Sequence, residues 1–145
     1  MTRSGAPKGA ESLEECVAKG DCADVWLVGE ALKEWKAVRK RSDQESRRAA
    51  KRLGGYFPRF AEKGVSGFTE EQFKSLGRFK AEGGNDHLLY EFKSHQFRLY
   101  GVVRTFKGKR SFVGVACDPA KKTPKADPKV LKRAANAADM IEWEK

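Results

Sequence analysis

The 145-residue sequence predicts an α+β fold in one domain, with a mainly antiparallel sheet and helices packed on one of its faces. Three observations lead there. Two stretches between Ala31 and Phe60 repeat apolar residues at helical spacing, three stretches between Leu88 and Cys117 have the composition and alternation of strands, and a last helical stretch follows Asp127-Pro128. The length suits one domain, and a chain of this size buries roughly two-thirds of its unfolded surface.

The elements follow in order. Residues 1–23 read as an N-terminal extension, partly disordered or forming a short helix: Ser12 and Glu15 have capping-box spacing, and Lys19-Gly20 would close the helix. The domain proper is expected over 24–145. It opens on Asp24-Val25-Trp26-Leu27-Val28-Gly29, an apolar run rich in β-formers. Leu32, Trp35 and Val38 then define one side of an amphipathic helix. Ser42 and Glu45 form a second capping box, ahead of Ala49, Leu53, Phe57 and Phe60 at helical spacing, with Gly54-Gly55 and Pro58 expected to bend or interrupt that helix. Thr69 and Gln72 suggest a third, short helix anchored by Phe73 and Leu76. After the turn at Gly83-Gly84-Asn85 come the strands Leu88–Lys93, Phe97–Thr105 and Ser111–Cys117, an antiparallel meander. Asp127-Pro128 is an N-cap and N1 pair for a C-terminal helix whose apolar side holds Val130, Leu131, Ala134, Ala138 and Ile141.

Charge narrows the function. Thirty Lys and Arg against twenty Asp and Glu give a net charge of +10, which favours a polyanionic partner. A hydrophobic content of 39% with 10% aromatics excludes a disordered polycation, so the charge belongs to a folded surface. From Lys36 to Lys63 ten cations face three carboxylates. Such a run is either a solvated helix face or a binding face. No apolar run approaches the roughly 18 residues of a membrane span, and no apolar core follows the basic N-terminus, so no membrane partner and a cytoplasmic location are expected. Cys16, Cys22 and Cys117 match no zinc or redox spacing and read as ordinary thiols; neither a metal nor another cofactor is expected. Trp26 and Trp35 lie on apolar faces and read as core, while Trp143 reads as a docking residue for the tail or for a protein partner.

The strand alternation separates Leu88, Tyr90 and Phe92 from Leu89, Glu91 and Lys93, and Phe97, Leu99 and Val103 from Arg98, Tyr100 and Arg104. The apolar sets should face the helices. That leaves Glu91, Lys93, Arg98, Tyr100 and Arg104 on a second face, either a solvated sheet surface or a site.

In their order, Leu89-Tyr90-Glu91-Phe92-Lys93, then Phe97-Arg98-Leu99-Tyr100, then Lys121-Lys122-Thr123-Pro124-Lys125 leading into the last helix, these segments resemble the RelE/HigB superfamily of bacterial toxins, most closely its HigB-like, phage-derived branch. The resemblance covers roughly residues 24–138. It implies a compact RelE-like α+β fold and an endoribonuclease that cleaves messenger RNA, commonly in the ribosomal A site, and that a small antitoxin neutralises by wrapping around it. Arg98 matches the family's arginine at the scissile phosphate, and Lys93 the basic residue ending the preceding strand. Lys121, Lys122 and Lys125 match its basic cluster. Glu91 stands where the RelE branch has a catalytic lysine, though the HigB-like branch commonly has glutamate there.

The chemistry can be stated on its own. Cleavage of RNA through its own 2′-OH builds negative charge on the phosphoryl oxygens, which Arg98 and neighbouring lysines could stabilise without a metal, Arg104 adding to the phosphate contacts. The proton acceptor could be Glu91 or His95, and the donor to the leaving oxygen a lysine, His95 or Tyr100. Plain readings stand beside these: His95 as a surface histidine, Tyr100 as a packing or base-stacking residue. The leading expectation is a toxin-like endoribonuclease. Its alternative is a non-catalytic RNA-binding or protein-interaction module on the same fold; DNA binding finds no evident recognition helix.

Overall fold

The computed structural model describes residues 13–94, 96–118, 126–141 and 143. Six strands form one sheet in the order β1-β2-β6-β5-β4-β3. They are β1 (Glu14–Lys19), β2 (Asp24–Val28), β3 (Phe73–Lys80), β4 (Asp86–Ser94), β5 (Phe97–Phe106) and β6 (Lys109–Asp118). Among the described residues three helices accompany them, α1 (Gly29–Lys40), α2 (Gln44–Lys63) and α3 (Pro128–Asp139), with a 3-10 turn at Gly64–Gly67. All neighbouring strands are antiparallel except β2 and β6, which run parallel because α1, α2 and β3 to β5 intervene between them. The α+β class and the β4–β5–β6 meander agree with the sequence reading. No helix among the described residues is long and apolar enough to cross a membrane.

Alternation along the strands feeds two cores. Leu27, Phe92, Phe97, Leu99 and Phe112 meet α1 and α2 on one face. Leu89, Tyr100, Val102, Val113 and Ala116 meet α3 on the other. Helices therefore cover both faces, which corrects the expectation of one. The second face is apolar at Leu89, Val102 and Val113, and the small residues Ala134, Ala135 and Ala138 let α3 pack closely against it. The first core is aromatic: Phe73, Phe92 and Phe112 meet in turn across β3, β4 and β6, tilted and edge-to-face with ring centroids 4.5 and 4.8 Å apart, and Phe60 of α2 closes on all three.

Four local expectations are corrected. The N-terminal extension forms strand β1 where a helix was expected, because residues 14–19 pair with β2. Gly20 serves a close approach there: a Cβ on it would lie 2.5 Å from the Ala61 backbone at the end of α2. The α2 cap is Asp43, not Ser42; its carboxylate accepts from the Ser46 amide at 2.9 Å, and that bond holds the Asp43 carboxyl below its ordinary pKa. Helix α2 also runs unbroken through Gly54, Gly55 and Pro58. All three are exposed, so water can serve the carbonyl that Pro58 leaves unpaired, while Leu53, Tyr56, Phe57 and Phe60 bury the opposite side. Finally, the box at Thr69 and Gln72 does form one turn, the Thr69 amide donating to the Gln72 side chain at 3.1 Å. The chain then leaves helical geometry as strand β3, because Phe73 pairs with Phe92 and Gly77 takes φ +101°, a value no helix contains.

Candidate active site

Strands β4 and β5 are separated by two residues in the sequence, and their register decides which polar side chains meet. Glu91 pairs with Tyr100, and Lys93 with Arg98. Directly opposed residues of an antiparallel pair share a face, so these four form a rectangle on the α3 side of the sheet. The neighbouring strands extend it. Lys74 of β3 lies opposite Glu91, and Asp118 of β6 lies opposite Arg98.

The rectangle grades from dry to wet. Tyr100 and Glu91 are 0% and 3% exposed, whereas Lys93, Arg98 and Asp118 at the sheet's end are half-buried. The Arg98 Nε lies 4.0 Å from Glu91 Oε1, and Nη1 donates to the Phe97 carbonyl at 3.3 Å. A buried carboxylate thus holds the inner edge of the guanidinium while its side chain keeps 14% of its surface open. Burial first, then the charges of Glu91 and Asp118, push the Tyr100 phenol above its ordinary pKa. It stays protonated through the physiological range and can only donate a proton or hydrogen bond, not accept a proton as a base.

The structure therefore sorts the residues expected from sequence. Glu91, Lys93, Arg98 and Tyr100 come together. Arg104 does not: six residues along β5, about 20 Å from Arg98 at strand rise, its guanidinium lies 4.5 Å above the Trp143 ring. Trp143 in turn donates to the Ala138 carbonyl at 3.0 Å and packs on Phe106, as a residue docking the tail would. Tyr100 is too deeply buried to stack on a base, and the face expected to be open is covered there by α3. Phe112 is likewise too deeply buried to stack on a base. His95, Lys121, Lys122 and Lys125 lie outside the described residues. Sequence reasoning missed Lys74 and Asp118. The capping box before Lys74 points to a helix, whereas alternation through Phe73 and Ser75 is the signal for a strand; Asp118 closes β6 and becomes notable only once that strand's register is known.

Chemically, the corner offers a pre-oriented guanidinium beside a lysine, a pair suited to the oxygens of a phosphodiester. Comparison of the chain with protein-family models, with curated proteins and with solved structures finds no match.

Proposed function

We propose that this protein is a toxin-like endoribonuclease that cleaves messenger RNA on the ribosome through attack of the RNA's own 2′-OH. Arg98 and Lys93 would donate to the scissile phosphate and stabilise the charge that builds on its oxygens. The observation that carries the reading is the corner itself: Arg98 and Lys93 side by side in register, the guanidinium held from beneath by buried Glu91. The resemblance to RelE/HigB toxins supports it, as does the net charge of +10, since a ribosome-bound message is a dense polyanion. A small antitoxin as partner and a cytoplasmic location belong to the same reading.

Burial redistributes the roles that the sequence left open. Glu91 acts as a positioning residue for Arg98, and Tyr100 as a neutral donor behind it. That leaves His95, between Ser94 and Gln96 in the sequence, as the proton acceptor to test, with Lys121, Lys122 and Lys125 as further phosphate contacts. The same burial of Glu91 and Tyr100 favours the second reading, a module that binds RNA without cutting it.

Induced expression in bacteria separates the two. Wild type should arrest growth and create new 5′ ends in translated messages, and Arg98→Ala, at equal soluble level and with an unchanged melting temperature, should do neither. Normal growth with intact transcripts under wild-type expression would move the assignment to the binding module.

A further inference from the structure

The corner does not use the cationic surface of α2. On the outer side of α2, Arg48, Lys51, Arg52 and Arg59 line an open groove of about 630 Å³ together with Tyr56 and Gln72. A second depression, reaching Arg47 and Ser42, shares Arg48 and Lys51 with it, so the two form one track. Arg48 to Arg59 spans about 16 Å along the helix. All four cations are exposed, and among the described residues none of them has a carboxylate within 4.0 Å. Packing already explains the buried side of α2; it does not explain an unpaired row of like charges, which costs stability through self-repulsion.

Two further observations identify the occupant. The exposed Arg59 guanidinium lies 5.7 and 5.3 Å from the ring centroids of Tyr56 and Phe68, within cation–π range, and a planar cation beside aromatic rings is a surface on which a base can stack. Gln72, one of the residues lining the groove, accepts a hydrogen bond from the Lys93 amide through its backbone carbonyl at 2.9 Å. The Ser94 hydroxyl likewise donates to the Ala49 carbonyl on α2. The cationic track thus reaches the sheet end that carries Lys93 and Arg98.

We infer that the α2 groove is a second binding site for single-stranded RNA, taking the strand that continues from the Arg98 corner around the β3–β4 end of the sheet. This rests on the endoribonuclease reading for its direction, but not for its test. Backbone phosphates would meet Arg48, Lys51 and Arg52, and a base would stack on Arg59. An acidic protein segment is the competing occupant; the guanidinium beside aromatic rings and the continuity with Lys93 favour RNA.

The test is binding of a 2′-O-methylated, hence uncleavable, single-stranded RNA of about 20 nucleotides, enough to cover both sites. Wild type, Arg48→Gln/Arg52→Gln and Arg98→Gln are titrated across salt concentrations. For a single strand, every phosphate left without its cationic partner lowers the salt slope by about 0.7, so the α2 double variant should lower it by roughly 1.4 and bind about 25-fold more weakly at 0.1 M salt. Both replaced residues are exposed, and an unchanged melting temperature confirms the fold. An unchanged slope and affinity would overturn the inference, as would intact RNA binding with abolished affinity for polyglutamate. Failure of the nuclease reading looks different: wild type would leave natural, unmethylated RNA uncut while the α2 effect persisted.

Discussion

Gly101→Ala is the sharpest test of the register that builds the corner. Between Tyr100 and Gly101 the pairing of β5 with β6 shifts by one residue, and this shift sets Arg98 opposite Asp118. At Gly101 the strands approach so closely that a Cβ would lie 2.3 Å from the Val113 carbonyl oxygen and 2.6 Å from Phe112 Cζ. Neither can yield cheaply: Val113 O is sheet backbone, and the Phe112 ring is locked among Phe60, Phe73 and Phe92. Overpacking of this kind costs about 1–3 kcal/mol. With an unfolding entropy of about 2.1 cal/mol/K per residue, a chain this long loses about 3 °C of melting temperature per kcal/mol, so the variant should melt about 3–10 °C lower. Gly55→Ala is the matched control. It is helical, exposed and has nothing within 4 Å of its added Cβ, so it should gain about 0.5–1 kcal/mol. Differential scanning calorimetry at neutral pH reads both. A Gly101→Ala protein as stable as wild type would mean that β5 and β6 do not pair in this register, and the placement of Arg98 would fall with it.

The remaining predictions concern charge and position. Burial raises the Tyr100 pKa above the unfolded value of about 10, so its contribution is whole below pH 10 and is lost as pH climbs toward the folded value; urea unfolding at pH 11 should show wild type weakened by about 1 kcal/mol relative to Tyr100→Phe, with no such gap at pH 9. Asp139 is held below the ordinary carboxylate pKa by His87 Nε2 at 2.9 Å and then by Asn85, so it stabilises the fold above that range and ceases to as pH falls through its lowered value. The melting-temperature gap between wild type and Asp139→Ala should therefore be present at pH 7 and close only on acidification beyond the ordinary carboxylate range. Arg104→Ala removes a cation–π contact worth about 0.5–1 kcal/mol and should leave RNA cleavage unchanged, since Arg104 sits at the far end of β5.

The helices and the meander were legible where local chemistry and tertiary packing agree. Asp127-Pro128 caps α3 as its residues suggest, the Asp127 side chain accepting from the Lys129 amide at 2.9 Å. Lys93 and Arg98 share a face as alternation predicts, because a period of two across a short connection leaves little freedom. The failures share a cause. The capping signals at Ser12 and Thr69 lie within single segments, whereas β1 and β3 owe their strand geometry to pairing with the next strands, β2 and β4, and Phe73 of β3 also to the aromatic core. The glycines and proline of α2 carry a helix-breaking propensity that burial of Leu53, Phe57 and Phe60 outweighs. The burial of Glu91 and Tyr100 could not be read from alternation at all, since polarity named the face but not the helix that covers it. Hence the members of the site were largely legible, and their roles were not.

The central claim is that Arg98 stabilises a cleaved phosphodiester. Purified protein, with and without ribosomes programmed with a defined message, should release fragments ending in a 2′,3′-cyclic phosphate and beginning with a 5′-hydroxyl. Arg98→Gln should lower that rate by about 10²–10³-fold, the cost of losing one transition-state donor. Cleavage by Arg98→Gln at the wild-type rate, or no cleavage by wild type in either setting, would contradict the account.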